Sequence, residues 1–356
     1  MNMKAVGLLY DMAELQTVER AKFGYKRAAK TIIGLSLQVA ELVEAGTLLE
    51  VPFIGPSSAR IITELVETGQ SATVESAVAA SKKAQQVAAK RLLRGNYLSS
   101  AGMLQVHGLS LGAEIVSRSA FRGDFQMHTT GSDGGETVRT MIEGCRALGH
   151  TCMGVTDHSY GLPIARGMSM SSIHRQHIEI DQLNEEYKGS FRVFKGIEAN
   201  ILIDGQLDLQ PDECEVFEFV VASPHSLLRR TEDQTSRLLG AIRGRRVAML
   251  GHPRGRIFNS RAGVVAQWDR VFAEAAARRV AIEVDGNWHR QDLDFSLVRT
   301  AYDAGCLFAL DSDAHSVGEL RFTDFAIAHA RLAGVPADRV INTWSDDALE
   351  SWMAER

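Results

Sequence analysis

The spacing of hydrophobic positions changes once along this chain, near residue 120. Before about residue 95, apolar side chains return every third or fourth position, as in VGLLYDMAELQTVERAKFGYKRAAKTIIGLSLQVAELVEAG. That period predicts consecutive amphipathic helices, with a stop at Gly46. From residue 121 short apolar runs alternate with amphipathic stretches. Strands are expected to end in RGDFQMH, TCMGVTDH, FRVFKGIEAN, FEFVVASPH, VAMLGHP, VAIEVDG and CLFALDSDAH. Helices such as ETVRTMIEGCRALG, RLLGAIRGR, WDRVFAEAAARR and LDFSLVRTAYDAG fall between them. Seven such units predict a parallel β/α barrel rather than a sandwich. Residues 76–120 begin as an alanine-rich helix and become a connector. The expected organisation is therefore a helical leader over 1–75, a connector over 76–120 and a barrel over 121–350.

The strand ends share one chemical property. His128, His158, Glu198, His225, His252, Asp313 and His315 all stand at or just past the C-terminal end of an expected strand. In a β/α barrel those ends converge on one face, where active sites are built. A lone histidine at a strand end is most often a packing residue. Five of them with a glutamate and an aspartate are hard to explain that way. Gathering imidazoles and carboxylates out of water is costly unless a cation offsets the desolvation and repulsion. The pattern predicts a metal site assembled from residues nearly two hundred positions apart.

Composition narrows the class without changing it. Hydrophobic residues make up 45% and charged residues 23%, ordinary for a globular chain with a full core. The four cysteines, Cys145, Cys152, Cys214 and Cys306, show no C-x-x-C spacing, which fits a reducing cytoplasm rather than a disulfide framework. Neither a signal-peptide layout nor a membrane-length apolar run is present, so a cytoplasmic protein with no membrane partner is expected. The net charge of -5 hides an asymmetry. Residues 1–120 carry 13 Lys and Arg against 10 Asp and Glu, the rest 26 against 34. A mildly basic leader suits phosphate backbones, and an acidic barrel suits divalent cations.

Within the leader, Pro52-Phe53-Ile54-Gly55-Pro56-Ser57-Ser58-Ala59 is a short Gly/Pro turn between two helices. This is the layout of a helix-hairpin-helix, in which a tight turn and a helix N-terminus present backbone N–H groups to a nucleic-acid phosphate without reading sequence. Such hairpins usually carry glycine where Phe53 stands, and a bulky residue there obstructs a phosphate.

The ordered series DFQMHTTGSDG, GVTDHS, KGIEANILIDG, ASPHS, GHPRGR, EVDGNWHRQDL and DSDAHS resembles the PHP (polymerase and histidinol phosphatase) domain family over residues 121–350. Within that family it is most similar to the PHP domain of bacterial family X DNA polymerases, and residues 1–75 resemble the helical leader of those polymerases. The resemblance implies a PHP-type (β/α)7 barrel with two or three divalent ions, Mn²⁺ or Zn²⁺ suiting the mixed imidazole and carboxylate set. It implies Glu198 as bridging ligand, with His128, Asp133, His158, His225, His252, Asp313 and His315 as the others. Glu198, His128 and Asp313 are then the residues on which catalysis depends. Arg256 and Arg290 match basic positions of the polymerase-associated form and are phosphate-binding candidates, Arg290 and His289 having surface salt bridges as the alternative. Tyr160 and Arg166 are placed at the substrate entrance, and His174 and His177 are given no catalytic part. Gln126 stands where most PHP domains have the first histidine of His-x-His, a substitution similar to that of the polymerase-associated branch.

Three functions remain at this point. One is a metal-dependent phosphoesterase acting on DNA, as a 3'-5' exonuclease, 3'-phosphatase or abasic endonuclease. Another is a phosphatase for a small phosphate ester such as histidinol phosphate. The last is a non-catalytic DNA-binding protein. Polymerase activity is not expected, because residues 1–120 contain a single aspartate, Asp11, where a palm needs an acidic cluster. Lyase chemistry is not expected either, since SSARIITELVETG has no lysine.

Overall fold

In the computed structural model, which describes residues 1–356, the chain divides into two units. The first comprises Met1–Ser110 with Phe258–Ser260, the second Leu111–Ile257 with Arg261–Arg356.

The first unit is all helical. Asn2–Leu15 and Glu19–Gly34 bury Ala5, Val6, Leu9, Ala28, Ala29 and Ile32 on facing stripes, the three-to-four-residue period read from the sequence. Val39–Glu44 follows and stops before Gly46, which takes φ +71°. The buried Asn2 ties the start of the chain to this helix, its Oδ1 accepting from the Val39 N–H at 2.8 Å. Asp11 is buried and chelated by Arg91 Nε and Arg94 Nη1, both at 2.6 Å, so it serves the packing of this unit. Pro56–Thr68 is the second hairpin helix, with Pro56 in its first turn and Gly69 (φ +79°) at its end. Within the stretch 76–120, helices Ala84–Leu92 and Ser100–His107 fall in this unit, which runs on to Ser110.

The second unit is built on seven parallel strands: β1 (Gly123–Asp124), β2 (Cys152–Val155), β3 (Arg192–Asn200), β4 (Phe219–Ser223), β5 (Val247–Leu250), β6 (Ala281–Asp285) and β7 (Leu307–Asp311). They are neighbours in chain order, so every crossover joins adjacent strands. Beyond the strand ends Met127 bridges to Ala314, and the His128 N–H donates to the Ala314 carbonyl at 2.8 Å, which brings β1 against β7 and closes the barrel. Helices cover the outside at most crossovers. Between β3 and β4 the chain instead runs through a loop with one 3-10 turn, Glu213–Val216.

Period-two alternation sorts the strand residues. Outward positions such as Ile197, Ala199, Ile282, Val284, Phe308 and Leu310 pack in one cluster with Leu238, Phe272, Ala275 and Ala326 of the helices. Inward positions form a second cluster, with Phe125, Phe194, Phe219, Ala281, Leu307 and Ala309 plugging the barrel. Gly154 and Gly196 leave room for that plug. A Cβ on Gly154 would stand 2.6 Å from Phe219 Cζ, and one on Gly196 would also meet the Phe219 ring. Above the aromatic layer the same inward rows continue as Glu198, Glu283, Asp285, Asp311 and Asp313, all buried. The four cysteines are buried and free, and no helix is long and apolar enough to cross a membrane.

Candidate metal centre

The barrel mouth gathers all eight residues expected as ligands. Glu198, inside β3, is fully buried and faces four imidazoles. Its Oε2 lies 2.8 Å from His158 Nδ1 and 3.5 Å from His128 Nε2. Its Oε1 lies 2.9 Å from His252 Nε2 and 3.4 Å from His225 Nε2. Asp313 Oδ1 is 3.1 Å from His128 Nε2. Asp133 Oδ1 is 3.4 Å from His315 Nε2, 3.6 Å from His158 Nε2 and 3.8 Å from His128 Nδ1. The His128 ring stacks between those of His158 and His315, with centroids 4.4 Å away on either side. Asp133 and His315 are the members most open to solvent, each with 30% of its side chain exposed.

These separations fit a shared cation. Two ligand atoms bound to one ion by bonds of about 2.1 Å stand about 3.0 Å apart at a right angle and about 3.4 Å at the tetrahedral angle. Most of the nitrogen–oxygen separations above lie near that range. Two groups of ligand atoms lie mutually within 4.8 Å: His128, Asp133, His158 and His315, and His158, Glu198 and His225. Buried polar atoms are also left over. Nδ1 of His128, His225 and His252 and both amide atoms of Gln126 have no hydrogen-bond partner, a cost of about 1–3 kcal/mol each if nothing else meets them. Gln126 is fully buried, its backbone N–H donating to Asp124 Oδ1 at 3.1 Å.

Protonation tendencies differ across the centre: burial opposes the charge on His158, but Glu198 and Asp133 outweigh it and raise its pKa, whereas His252 is driven the other way. Burial, with Arg290 nearby, lowers the His252 pKa to about 4, keeping the ring neutral as ligation requires. Burial would raise the Glu198 carboxyl, but His158 and His225 outweigh it and hold the group well below the usual range. Asp313 is likewise held low, burial being overcome by Arg290 and His128. At the open edge burial opposes the charge on His315, yet Asp133 and Asp313 prevail and push its pKa up to about 9.

Backbone geometry aims these side chains. His252 (φ +22°) and Asp313 (φ +51°) adopt left-handed conformations that non-glycine residues rarely take. The Glu283 carboxylate accepts from the His252 N–H and braces that turn. Asp157 was not singled out from the sequence, yet it organises the loop that carries Asp133. It accepts from the Thr129 N–H at 2.8 Å and from Thr129 Oγ1 and Ser132 Oγ, both at 2.5 Å. Gln176 Nε2 completes the set at 2.6 Å. The only signal for it was its place beside His158 in GVTDHS. The acids beneath the centre, Glu283, Asp285 and Asp311, were also missed, because inside the barrel they look like ordinary strand residues.

The two candidate arginines part company. Arg256 is buried, its Nη1 paired with Asp294 Oδ2 at 3.0 Å and its Nε donating to the carbonyls of Arg290 and Gln291 at 3.0 and 3.1 Å. It braces a loop and offers no exposed cation to a phosphate, contrary to the expectation from GHPRGR. Arg290 reaches the centre, with Nη1 2.7 Å from Asp313 Oδ2 and 3.4 Å from Asp285 Oδ2. His289 packs against Trp288 instead. His177 is buried against Phe217, and His174 lies exposed on its helix, both outside the cluster. Tyr160 donates to Glu213 at 2.7 Å, and Arg166 is exposed in the loop after β2.

Residues 1–71 match the helix-hairpin-helix domain family. Over 250 residues the chain is 32% identical to the DNA polymerase/3'-5' exonuclease PolX of Bacillus subtilis, a match covering 70% of this chain and 44% of that protein. The chain thus spans less than half the length of that relative. It is 26% identical over 234 residues to a protein named probable phosphatase from Aliivibrio fischeri, covering 62% of this chain and 88% of the other. Among solved structures, the histidinol phosphate phosphatase of Lactococcus lactis, complexed with zinc, L-histidinol and phosphate, is similar over 59% of this chain and 93% of its own, at 17% identity and a TM-score of 0.45.

Proposed function

Taking the chain as a PHP-type barrel that carries a helix-hairpin-helix leader, we propose that it is a metal-dependent phosphoesterase acting on DNA. The observation that carries this reading is the pairing, in one chain, of the His/Asp/Glu cluster at the barrel mouth with a helix-hairpin-helix match over residues 1–71. Bound divalent ions, Mn²⁺ or Zn²⁺, would supply a Lewis acid that lowers the pKa of water and neutralises charge on phosphate oxygens. Glu198, His128, His158, His225, His252 and Asp313 would hold those ions. Asp133 and His315 form the solvent-facing rim, where a phosphate ester enters. Arg290, with Nη1 on Asp313 and Asp285, places a fixed positive charge at the floor of the centre. In the leader, the helix Pro56–Thr68 begins at Gly55 with no side-chain cap, which leaves its first backbone N–H groups to a DNA phosphate.

A second reading, a phosphatase for small esters, is favoured by the match to 88% of a protein named probable phosphatase. Full-length protein with Mn²⁺ is assayed on 3'-labelled single-stranded DNA, gapped DNA and histidinol phosphate. Release of nucleotide or phosphate from DNA, abolished by His128→Ala and by Asp313→Ala, is the expected result. Turnover of the small ester alone would overturn the DNA assignment.

A further inference from the structure

We propose that the guanidinium of Arg290 is a permanent third cation of this centre, occupying the corner between Asp313 and Asp285, so that the barrel takes two divalent ions and no third. The inference rests on the metal-centre reading above.

Neither group of ligand atoms mutually within 4.8 Å includes Asp313, which meets the imidazoles of the centre through Oδ1 alone. Asp313 is fully buried and divides its oxygens. Oδ1 faces His128 Nε2 at 3.1 Å, and Oδ2 is taken by Arg290 Nη1 at 2.7 Å. Asp285, also fully buried, shares the same Nη1 at 3.4 Å. With Glu198 and Glu283 acting on the guanidinium as well, Arg290 is the positive charge set among four buried carboxyl groups. A divalent ion on Asp313 Oδ2 would stand within a few ångströms of that fixed charge. Like charges at such range repel strongly where water is excluded. Unlike an ion, the guanidinium cannot dissociate and stays charged at any working pH.

The surrounding loop is built to hold it there. Asp285 and Asp292 exchange backbone hydrogen bonds at 2.6 and 3.0 Å, which closes the loop between them. Within it the Arg290 N–H donates to the Asn287 carbonyl at 2.8 Å. Buried Arg256 clamps the carbonyls of Arg290 and Gln291 from outside. Arg256 is thus a positioning residue for Arg290, which accounts for a buried arginine so near the site that never faces it.

The test counts ions. Wild-type protein, Arg290→Met and Arg290→Lys are loaded with Zn²⁺, freed of excess metal by gel filtration and measured by elemental analysis. Folding of each is checked by its thermal transition. Two ions per chain are expected for wild type and for Arg290→Lys, which keeps the charge, and three for Arg290→Met. Three ions in wild type, or two in a folded Arg290→Met, would overturn the proposal. Should Arg290→Met fail to fold, the zinc anomalous signal in wild-type crystals decides: a peak within bonding distance of Asp313 Oδ2 refutes it, and Arg290 Nη1 there with two peaks elsewhere supports it. No bound ion in any variant would instead sink the metal-centre reading itself.

Discussion

Removing metal tests the centre without any mutation. The chelated protein retains a buried carboxylate ringed by imidazole nitrogens at 2.8 to 3.5 Å, together with several unpartnered polar atoms. An ion bound only by the folded state adds RT ln(1 + [L]/Kd), about 2.7 kcal/mol when present at a hundred times its dissociation constant. Two ions therefore contribute about 5 kcal/mol. The barrel unit has about 240 residues, so its unfolding entropy is about 0.5 kcal/mol/K near the midpoint. The expected difference in Tm between the metal-loaded and chelated protein is thus about 10 °C. Trp268, Trp288, Trp344 and Trp352 all lie in the barrel unit, which makes tryptophan fluorescence a selective reporter of its transition. Glu198→Ala removes the carboxylate that faces four of the histidines and should lose at least half of the shift. A fluorescence transition that ignores Mn²⁺ and Zn²⁺ at millimolar concentration, or the same shift in Glu198→Ala, would refute the reasoning.

Three further outcomes check other parts of the account. Gly154→Ala forces a methyl group to within 2.6 Å of Phe219 Cζ, and overpacking of this kind costs about 1–3 kcal/mol. The barrel Tm should fall, Phe219→Leu in the same chain should recover part of the loss, and an unchanged Tm would contradict the aromatic plug. His329 is fully buried with its pKa lowered to about 3 by burial and by Arg256, its Nδ1 accepting from the Phe295 N–H. The folded ring stays neutral while the unfolded chain takes up a proton below about pH 6.5, so stability is full above that pH. It should fall by about 1.4 kcal/mol per pH unit on acidification toward pH 3. Denaturant titrations of His329→Gln should show this slope reduced by about one proton, and an identical pH profile would count against it. Phe53 occupies a left-handed position (φ +68°) in the hairpin turn, with the Arg27 guanidinium 3.7 Å from its ring centroid. Phe53→Gly relieves that backbone strain and clears the approach of a phosphate, so full-length protein should bind duplex DNA more tightly by fluorescence anisotropy; weaker binding would show that the ring itself makes the contact.

Phe53 also shows how far a local pattern reaches. That glycine is usual at this position was visible in the sequence because turn chemistry is local, and the structure adds that its φ is positive. The seven strands and the convergence of the strand-end histidines and acids were visible for the same reason. Period-two alternation decides which residues point inward, and a parallel barrel brings the C-terminal ends of its strands to one face. What alternation cannot carry is the pairing of charges across the barrel. Arg256 and Arg290 look alike in sequence, each a basic residue in a loop past a strand end. They separate only because the loop after β6 closes on itself between Asp285 and Asp292, placing one guanidinium on Asp313 and the other behind the loop on Asp294. Asp157 gains its role only where donors from the 129–132 loop and from Gln176 meet it, and the His128–Asp313 contact joins residues 185 positions apart. The sequence by itself determined the barrel, the helical leader and the row of histidines and acids at the strand ends, since each follows from short-range periodicity and residue chemistry. The partner of each charge was decided only by closure of the tertiary structure, because in a water-excluded site ångström differences in distance settle which cation holds which carboxylate.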